Sequence, residues 1–245
     1  MAAATKYWNR LGFERELWQQ GTTLVAGVDE AGCGPLAGPV VAAAVLFPCS
    51  WLEAGLFSKL RGLNDSKQLD EDQREKFYNI IVNHPEIRHA IAVIDVEMID
   101  RINIRQAAWR GMNQALDQLN PKPQHVLVDG LKIKWLPYAQ TALVQGDGKS
   151  YSIAAASVLA KVTRDRLMQD YDKQYPGYGF AEHKGYGTPK HLAAINAQGP
   201  CLIHRKSFAP FRPIMETLEL FPAPDANPAS TNLEVSPSAQ QLPGT

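Results

Sequence analysis

The chain has 245 residues, 45% of them hydrophobic and 20% charged, with 25 Lys and Arg balanced by 25 Asp and Glu. That length suits one large domain or a domain with a small appendage, and the composition excludes fibrous and wholly disordered classes. The zero formal charge means that any binding of a polyanion has to come from where charges are placed.

Three cysteines, Cys33, Cys49 and Cys201, are too few and too scattered for a disulfide framework or a zinc site. The first twenty residues carry charges throughout and do not read as a signal peptide. No apolar run is long enough to cross a bilayer, so the expectation is a reducing, cytoplasmic compartment with no membrane partner.

In chain order, residues 1–23 read as an N-terminal helical segment. Leu24 to Asp29 reads as a strand. Pro39 to Pro48 reads as a second, with helix as the rival because of its alanines. Ile87 to Val96, rich in β-branched residues, is a third strand. From Glu97 to Leu119, Ile102, Trp109 and Leu116 recur every seven residues, which predicts one amphipathic helix ended by Asn120-Pro121. His125 to Asp129 is a short buried strand, and the stretch from Gln140 is another, ending in a turn at Gly146-Asp147-Gly148.

A long helix follows, with Ser150 or Ser152 as N-cap and Ala154-Ala155-Ala156 able to approach a sheet closely. Gly177 to Thr188 reads as a glycine-punctuated loop, and Thr188-Pro189 opens a helix that stops at Gly199-Pro200. Residues 222–245 carry five prolines among Ala, Ser, Asn and Gln, and are expected to be disordered. Strands first, then alternating strands and helices, then helices and loops, predict an α/β structure over 24–213 with a mixed sheet and a C-terminal helical extension.

The motif GVDEAGCGPLAG, Gly27 to Gly38, sets two adjacent carboxylates against a glycine-rich loop. Asp29, Asp129 and Asp147 each lie at or just past the end of an apolar strand-like run, where α/β sheets build their sites. Converging there with Glu30, they would repel one another unless a divalent cation removed the penalty. All-oxygen ligation selects Mg²⁺ or Mn²⁺, and a pair of such ions suits phosphodiester hydrolysis. On residue context alone the alternative stays open, because an acid at a strand end is ordinarily a turn residue or a solvated group. Adjacent strand residues also point to opposite faces, so Asp29 and Glu30 share a site only where the strand ends or distorts. A dinucleotide fingerprint at Gly32 to Gly38 fails because Pro35 and Pro39 break the helix it needs.

The motifs GVDEAGCGPLAGPVVAAAVL, LNDSKQL, VLVDG, GDGKSYSIAAASVLAKVTRDRLM, HKGYGTPKH and HRKSFAP resemble, in order, those of prokaryotic ribonuclease HII. The resemblance implies an RNase H-like mixed β-sheet flanked by helices. It also implies a metal-dependent endonuclease of replication and repair, acting as a monomer on RNA–DNA hybrid or ribonucleotide-containing duplex DNA and leaving 3′-OH and 5′-phosphate ends. It places Asp29, Glu30, Asp129 and Asp147 as catalytic and metal-holding residues, with Mn²⁺ or Mg²⁺ as cofactor. A binding module that kept the fold would gain from losing these acids beside phosphate.

By the same resemblance, the backbone of Gly32, Cys33 and Gly34 contacts a ribose 2′-OH. Tyr186 stacks on the next deoxyribose, and Lys67 and Lys184 contact phosphate. The middle of this Gly-x-Gly motif is commonly Arg in the family; with Cys33 there, a backbone contact survives and a cationic one does not. Cys33 is expected to be an inert filler, and Asp165 to pair with Lys161 or Arg166.

Overall fold

The computed structural model describes residues 9–211. The start of the predicted N-terminal segment and the predicted tail at 222–245 lie outside the described residues. Within them the order is α1 (Gly12–Gln19), β1 (Val25–Ala31), β2 (Val40–Leu46), α2 (Trp51–Ala54), α3 (Glu71–Asn83), β3 (Arg88–Ile94), α4 (Val96–Ile102), α5 (Ile104–Gln118), β4 (His125–Asp129), β5 (Ala139–Leu143), α6 (Tyr151–Gln174), α7 (Phe180–His183) and α8 (Pro189–Gln198). No helix of these is long and apolar enough to cross a membrane.

The five strands form one mixed sheet in the order β3-β2-β1-β4-β5. β1, β2 and β3 pair antiparallel, whereas β4 pairs parallel with β1 and β5 parallel with β4. Helices cover both faces, so the inner strands β1, β2 and β4 carry near-continuous buried runs, whereas the edge strands β3 and β5 are partly exposed. The alanine-rich segment is a strand, paired antiparallel with β1 on one side and β3 on the other, and all seven of its residues are buried.

Strand alternation divides the core into two layers. Val25, Val41, Ala43, Val45 and Leu127 pack under α6, against its alanines and Ile153. Ala26, Val28, Ala42, Ala44, Val126 and Val128 pack against Met112, Ala115 and Leu116 of α5. α6 comes so close to the sheet that a Cβ on Gly27 would strike the Ser152 backbone and lie 2.6 Å from its hydroxyl.

Ser150 caps α6, its hydroxyl accepting from the Ile153 amide at 3.2 Å and donating to Glu14 Oε1 at 2.6 Å. Glu14 also takes the Ser152 amide and hydroxyl, and so ties α1 to the start of α6. Burial raises the Glu14 carboxyl above the usual carboxylate range.

Two sequence expectations need correcting. The single helix predicted from Glu97 to Leu119 is two, divided at Asn103, which sits at φ 68° while its side chain accepts from the Gln106 amide and caps α5. At φ 68° and ψ 161° the backbone takes a conformation that few residues other than glycine adopt, and the side-chain cap holds the chain in this turn without breaking the apolar stripe. The loop predicted at 177–188 contains the short helix α7 between Gly179 and Lys184, both at positive φ. Unpredicted α3 begins with a capping box, Asp70 and Gln73 exchanging side chain-to-backbone bonds, and buries Phe77 and Ile81. The C-terminal extension packs Phe180, Ile195 and Ile203 around Ala37 and Met168 at the far end of α6.

Candidate active site

Asp29 and Asp129 are brought together by strand register. β1 and β4 run parallel with Val28 opposite Val128, so the next residue on each is an aspartate. Both continue the alternation of Val25 and Leu127 and face α6. Asp147 reaches them from the 3-10 turn Gly146–Gly148 after β5. Asp129 Oδ1 accepts from the Gly146 amide at 2.6 Å, and a Cβ on Gly146 would crowd that same oxygen at 3.3 Å. One carboxylate oxygen from each of Asp29, Asp129 and Asp147 lies within 4.8 Å of the others.

Glu30, one residue along β1, points to the other face. It lies outside this three-aspartate group and lines the cleft beside α5, where Asp129 at the strand end borders both sides. Its Oε1 accepts from Cys33 Sγ at 3.4 Å.

The electrostatics follow from crowding. Burial raises Asp29 well above the usual carboxylate value, and the charges of Glu30 and Asp129 raise it further. Glu30 is raised by burial and by Asp129, and Asp147 by burial, Asp129 and Asp65. Burial alone would lower the Lys67 ammonium, but Asp65, Asp29, Asp147 and Asp129 outweigh it and hold its pKa above the lysine value. One ammonium beside so many carboxylates leaves excess negative charge. A converging all-oxygen donor set short of cations is the arrangement a hard divalent ion satisfies.

The glycine loop is braced from behind by two buried arginines that sequence reasoning left without a role. Arg205 donates to the carbonyls of Gly38 at 3.0 and 2.8 Å, Cys33 at 3.1 Å, Gly32 at 2.6 Å and Pro39 at 3.2 Å. Arg164 donates to Pro39 and Ala37, and to Lys184 beyond the loop. Neither arginine has an ion-pair partner within 4.0 Å among the described residues. Burial, then the charge of Arg164, pushes Arg205 down to about 9. Gly32 sits at φ 101° and its missing Cβ leaves room for the Arg164 side chain. The cationic character absent at Cys33 is therefore present behind the loop.

Burial and the Glu30 carboxylate push the Cys33 thiol up, which keeps it protonated. Asp165 pairs with Lys161 at 2.7 Å, one of the two partners expected.

A cleft of about 280 Å³ gathers Glu30, Gly32, Cys33, Gly34, Lys67 and Tyr186. Tyr186 Cε1 lies 3.6 Å from where a Gly34 Cβ would stand. Lys184 is not among the lining residues; its ammonium donates to the Ala181 carbonyl and its own carbonyl accepts from Arg164.

A directional imidazole chain holds the Tyr186 backbone. His204 Nδ1 accepts from the Cys201 amide at 2.9 Å, so its Nε2 carries the proton and donates to His191 Nε2 at 3.1 Å. His191 Nδ1 then donates to the Tyr186 carbonyl at 2.9 Å. The HKGYGTPKH and HRKSFAP motifs contain these histidines and Arg205, but the contacts themselves have no sequence signal.

The family model for ribonuclease HII matches residues 26–211. A ribonuclease HII from Acholeplasma laidlawii is 49% identical over 208 residues, covering 85% of this chain and 98% of that protein. One from Acetivibrio thermocellus is 50% identical over 196 residues, covering 80% of this chain and 73% of that protein. The crystal structure of ribonuclease H2 from Pyrococcus horikoshii is 28% identical with a TM-score of 0.64, covering 77% of this chain and 95% of that one.

Proposed function

Since the chain belongs to the ribonuclease HII family and is a ribonuclease H, we propose that it cuts the RNA strand of RNA–DNA hybrids, and duplex DNA at a single embedded ribonucleotide, by divalent-cation-dependent hydrolysis leaving 3′-OH and 5′-phosphate ends. The observation that carries this reading is the convergence of Asp29, Asp129 and Asp147 within 4.8 Å, next to a cleft that joins Glu30 to Gly32–Gly34 and Tyr186.

Asp29, Asp129 and Asp147, with Glu30 at the rim, would hold a pair of Mg²⁺ or Mn²⁺ ions. Bound there, such ions supply charge neutralisation at the scissile phosphate and a more acidic water. The protein's own residues position the substrate. Lys67, poised beside the acids and fully charged, meets a phosphate oxygen. The Gly32–Gly34 backbone, free of bulky side chains and fixed by Arg205, approaches the ribose closely enough to meet its 2′-OH. The Tyr186 ring, half exposed beside Gly34, lies against the next sugar, where a missing 2′-OH leaves room for it.

Cleavage of a duplex carrying one ribonucleotide, and of a uniform RNA–DNA hybrid, tests the reading in Mg²⁺, Mn²⁺ or chelator. Cuts in both divalent ions with 5′-phosphate ends are expected. Cleavage persisting in chelator, or none of either substrate with either ion, would refute it.

A further inference from the structure

We propose that the loop from Gly130 to Tyr138 is a second nucleic-acid contact, binding the flank of the duplex beyond the acidic site through Lys132, Lys134 and Trp135. This rests on the hydrolytic reading above for the identity of the ligand. The loop begins one residue after Asp129 and reads GLKIKWLPY, with two lysines and no acid.

It is held in place. Ile133 is buried, its amide donating to Gln140 Oε1 at 2.8 Å and its carbonyl accepting from Gln140 Nε2 at 2.9 Å. Leu136 and Tyr138 pack against the core layer under α5. These anchors leave Lys132, Lys134 and Trp135 outside, with Trp135 85% exposed. Trp135 also sits at φ 59°, a left-handed backbone uncommon for a bulky aromatic residue. A strained backbone that presents an indole to water gains nothing from packing, and strain of this kind clusters at sites of function.

The surface is continuous with the acids. Gly130 and Leu131 line a cleft of about 300 Å³ whose other walls include Glu30, Asp129 and, from α5, Arg105 and Trp109. A polyanion lying on the acids therefore finds basic and aromatic groups along this side. Because the chain's bulk charge is zero, affinity for such a ligand depends on local placement of this kind. Lysines track phosphates, and an exposed aromatic ring stacks on bases or sugars of any sequence.

The test measures binding in chelator to a short ribonucleotide-containing duplex that only spans the acidic site, and to duplexes extended on either side. Loss of a stacking aromatic weakens binding by about 5- to 150-fold, so Trp135→Ala should lose at least about five-fold on one extended duplex while Trp135→Phe keeps most of the affinity. Each phosphate neutralised contributes about 0.9 to the salt slope of log affinity, so Lys132→Ala with Lys134→Ala should flatten it by about 1.8. Tryptophan fluorescence should report the contact, the change on adding the extended duplex being smaller in Trp135→Phe than in wild type. The change on adding the short duplex, which Trp109 in the cleft can report, should be the same in both. Binding of the short duplex, its cleavage at saturation and the melting temperature should stay at wild-type values. Unchanged affinity and salt slope on the extended duplexes would overturn the proposal and leave the patch to a protein partner. Equal losses on short and extended duplexes would also overturn it, by assigning the loop to the acidic site itself. Losses confined to the extended duplex in a protein that cleaves nothing would uphold this surface and sink the hydrolytic reading.

Discussion

Replacing Arg205 with methionine removes a buried cation that spans the loop from Gly32 to Pro39. The Pro39 carbonyl keeps its bond from Arg164 Nε, but those of Gly32, Cys33 and Gly38 lose their guanidinium donors. A buried polar group left unsatisfied costs about 1–3 kcal/mol, so the buried Gly32 and Gly38 carbonyls together cost about 2–6 kcal/mol gross, with the part-buried Cys33 carbonyl adding less. Relief from no longer burying a charge returns part of this, leaving a net loss of about 2–4 kcal/mol. For a domain of this size each kcal/mol shifts the melting temperature by about 2–4 °C, giving a drop of about 4–16 °C. The loop that would meet the ribose loses its brace, so kcat/KM should fall on both an embedded ribonucleotide and a uniform hybrid. Arg205→Lys, which keeps the charge and reaches fewer carbonyls, should fall between. Thermal melts and steady-state cleavage decide the matter. Arg205→Met melting within about 2 °C of wild type with unchanged kcat/KM would show that the loop holds itself.

Asp29→Asn and Asp129→Asn should abolish cleavage, and either variant retaining more than about a tenth of activity would refute the metal-holding assignment. The Asp29 carboxyl is raised by burial and its acidic neighbours, so without divalent ions stability should fall as pH rises above the ordinary carboxylate range; thermal melts of Asp29→Asn should show a shallower fall. Tyr186→Ala should lose about 5- to 150-fold on a single embedded ribonucleotide, and Tyr186→Phe much less; equal, small losses of Tyr186→Ala on embedded and uniform substrates would return the ring to a packing role. Burial, then His191, pushes His204 down to about 4 from 6.5, so the unfolded chain protonates first and stability should fall as pH drops between those values. His204→Gln, which does not titrate, should flatten that fall in melts across the window, and an unchanged slope would contradict the neutral imidazole chain.

Much of this architecture was legible locally. Apolar runs marked the five strands, Ser150 or Ser152 and Thr188-Pro189 marked helix starts, of which Ser150 is the cap that forms, and three aspartates at strand ends beside glycines pointed to an acidic centre. α3 went unread although its capping box, Asp70 to Gln73, is a local signal. The seven-residue recurrence hid the break at Asn103, because the turn there is held by a side-chain cap on α5 and leaves the apolar stripe undisturbed.

The acids themselves, Asp29, Glu30, Asp129 and Asp147, are a property of the sequence, since residue type and strand-end context are written along the chain. Which of them meet is a property of the fold. The pleat sends Glu30 to the opposite face from Asp29, and only parallel register sets Asp129 beside Asp29 across a hundred residues of chain. The bracing of Gly32–Gly34 by Arg205, and of Tyr186 by His191 and His204, likewise depended on tertiary structure, because hydrogen bonds between segments distant in sequence leave no periodicity to read.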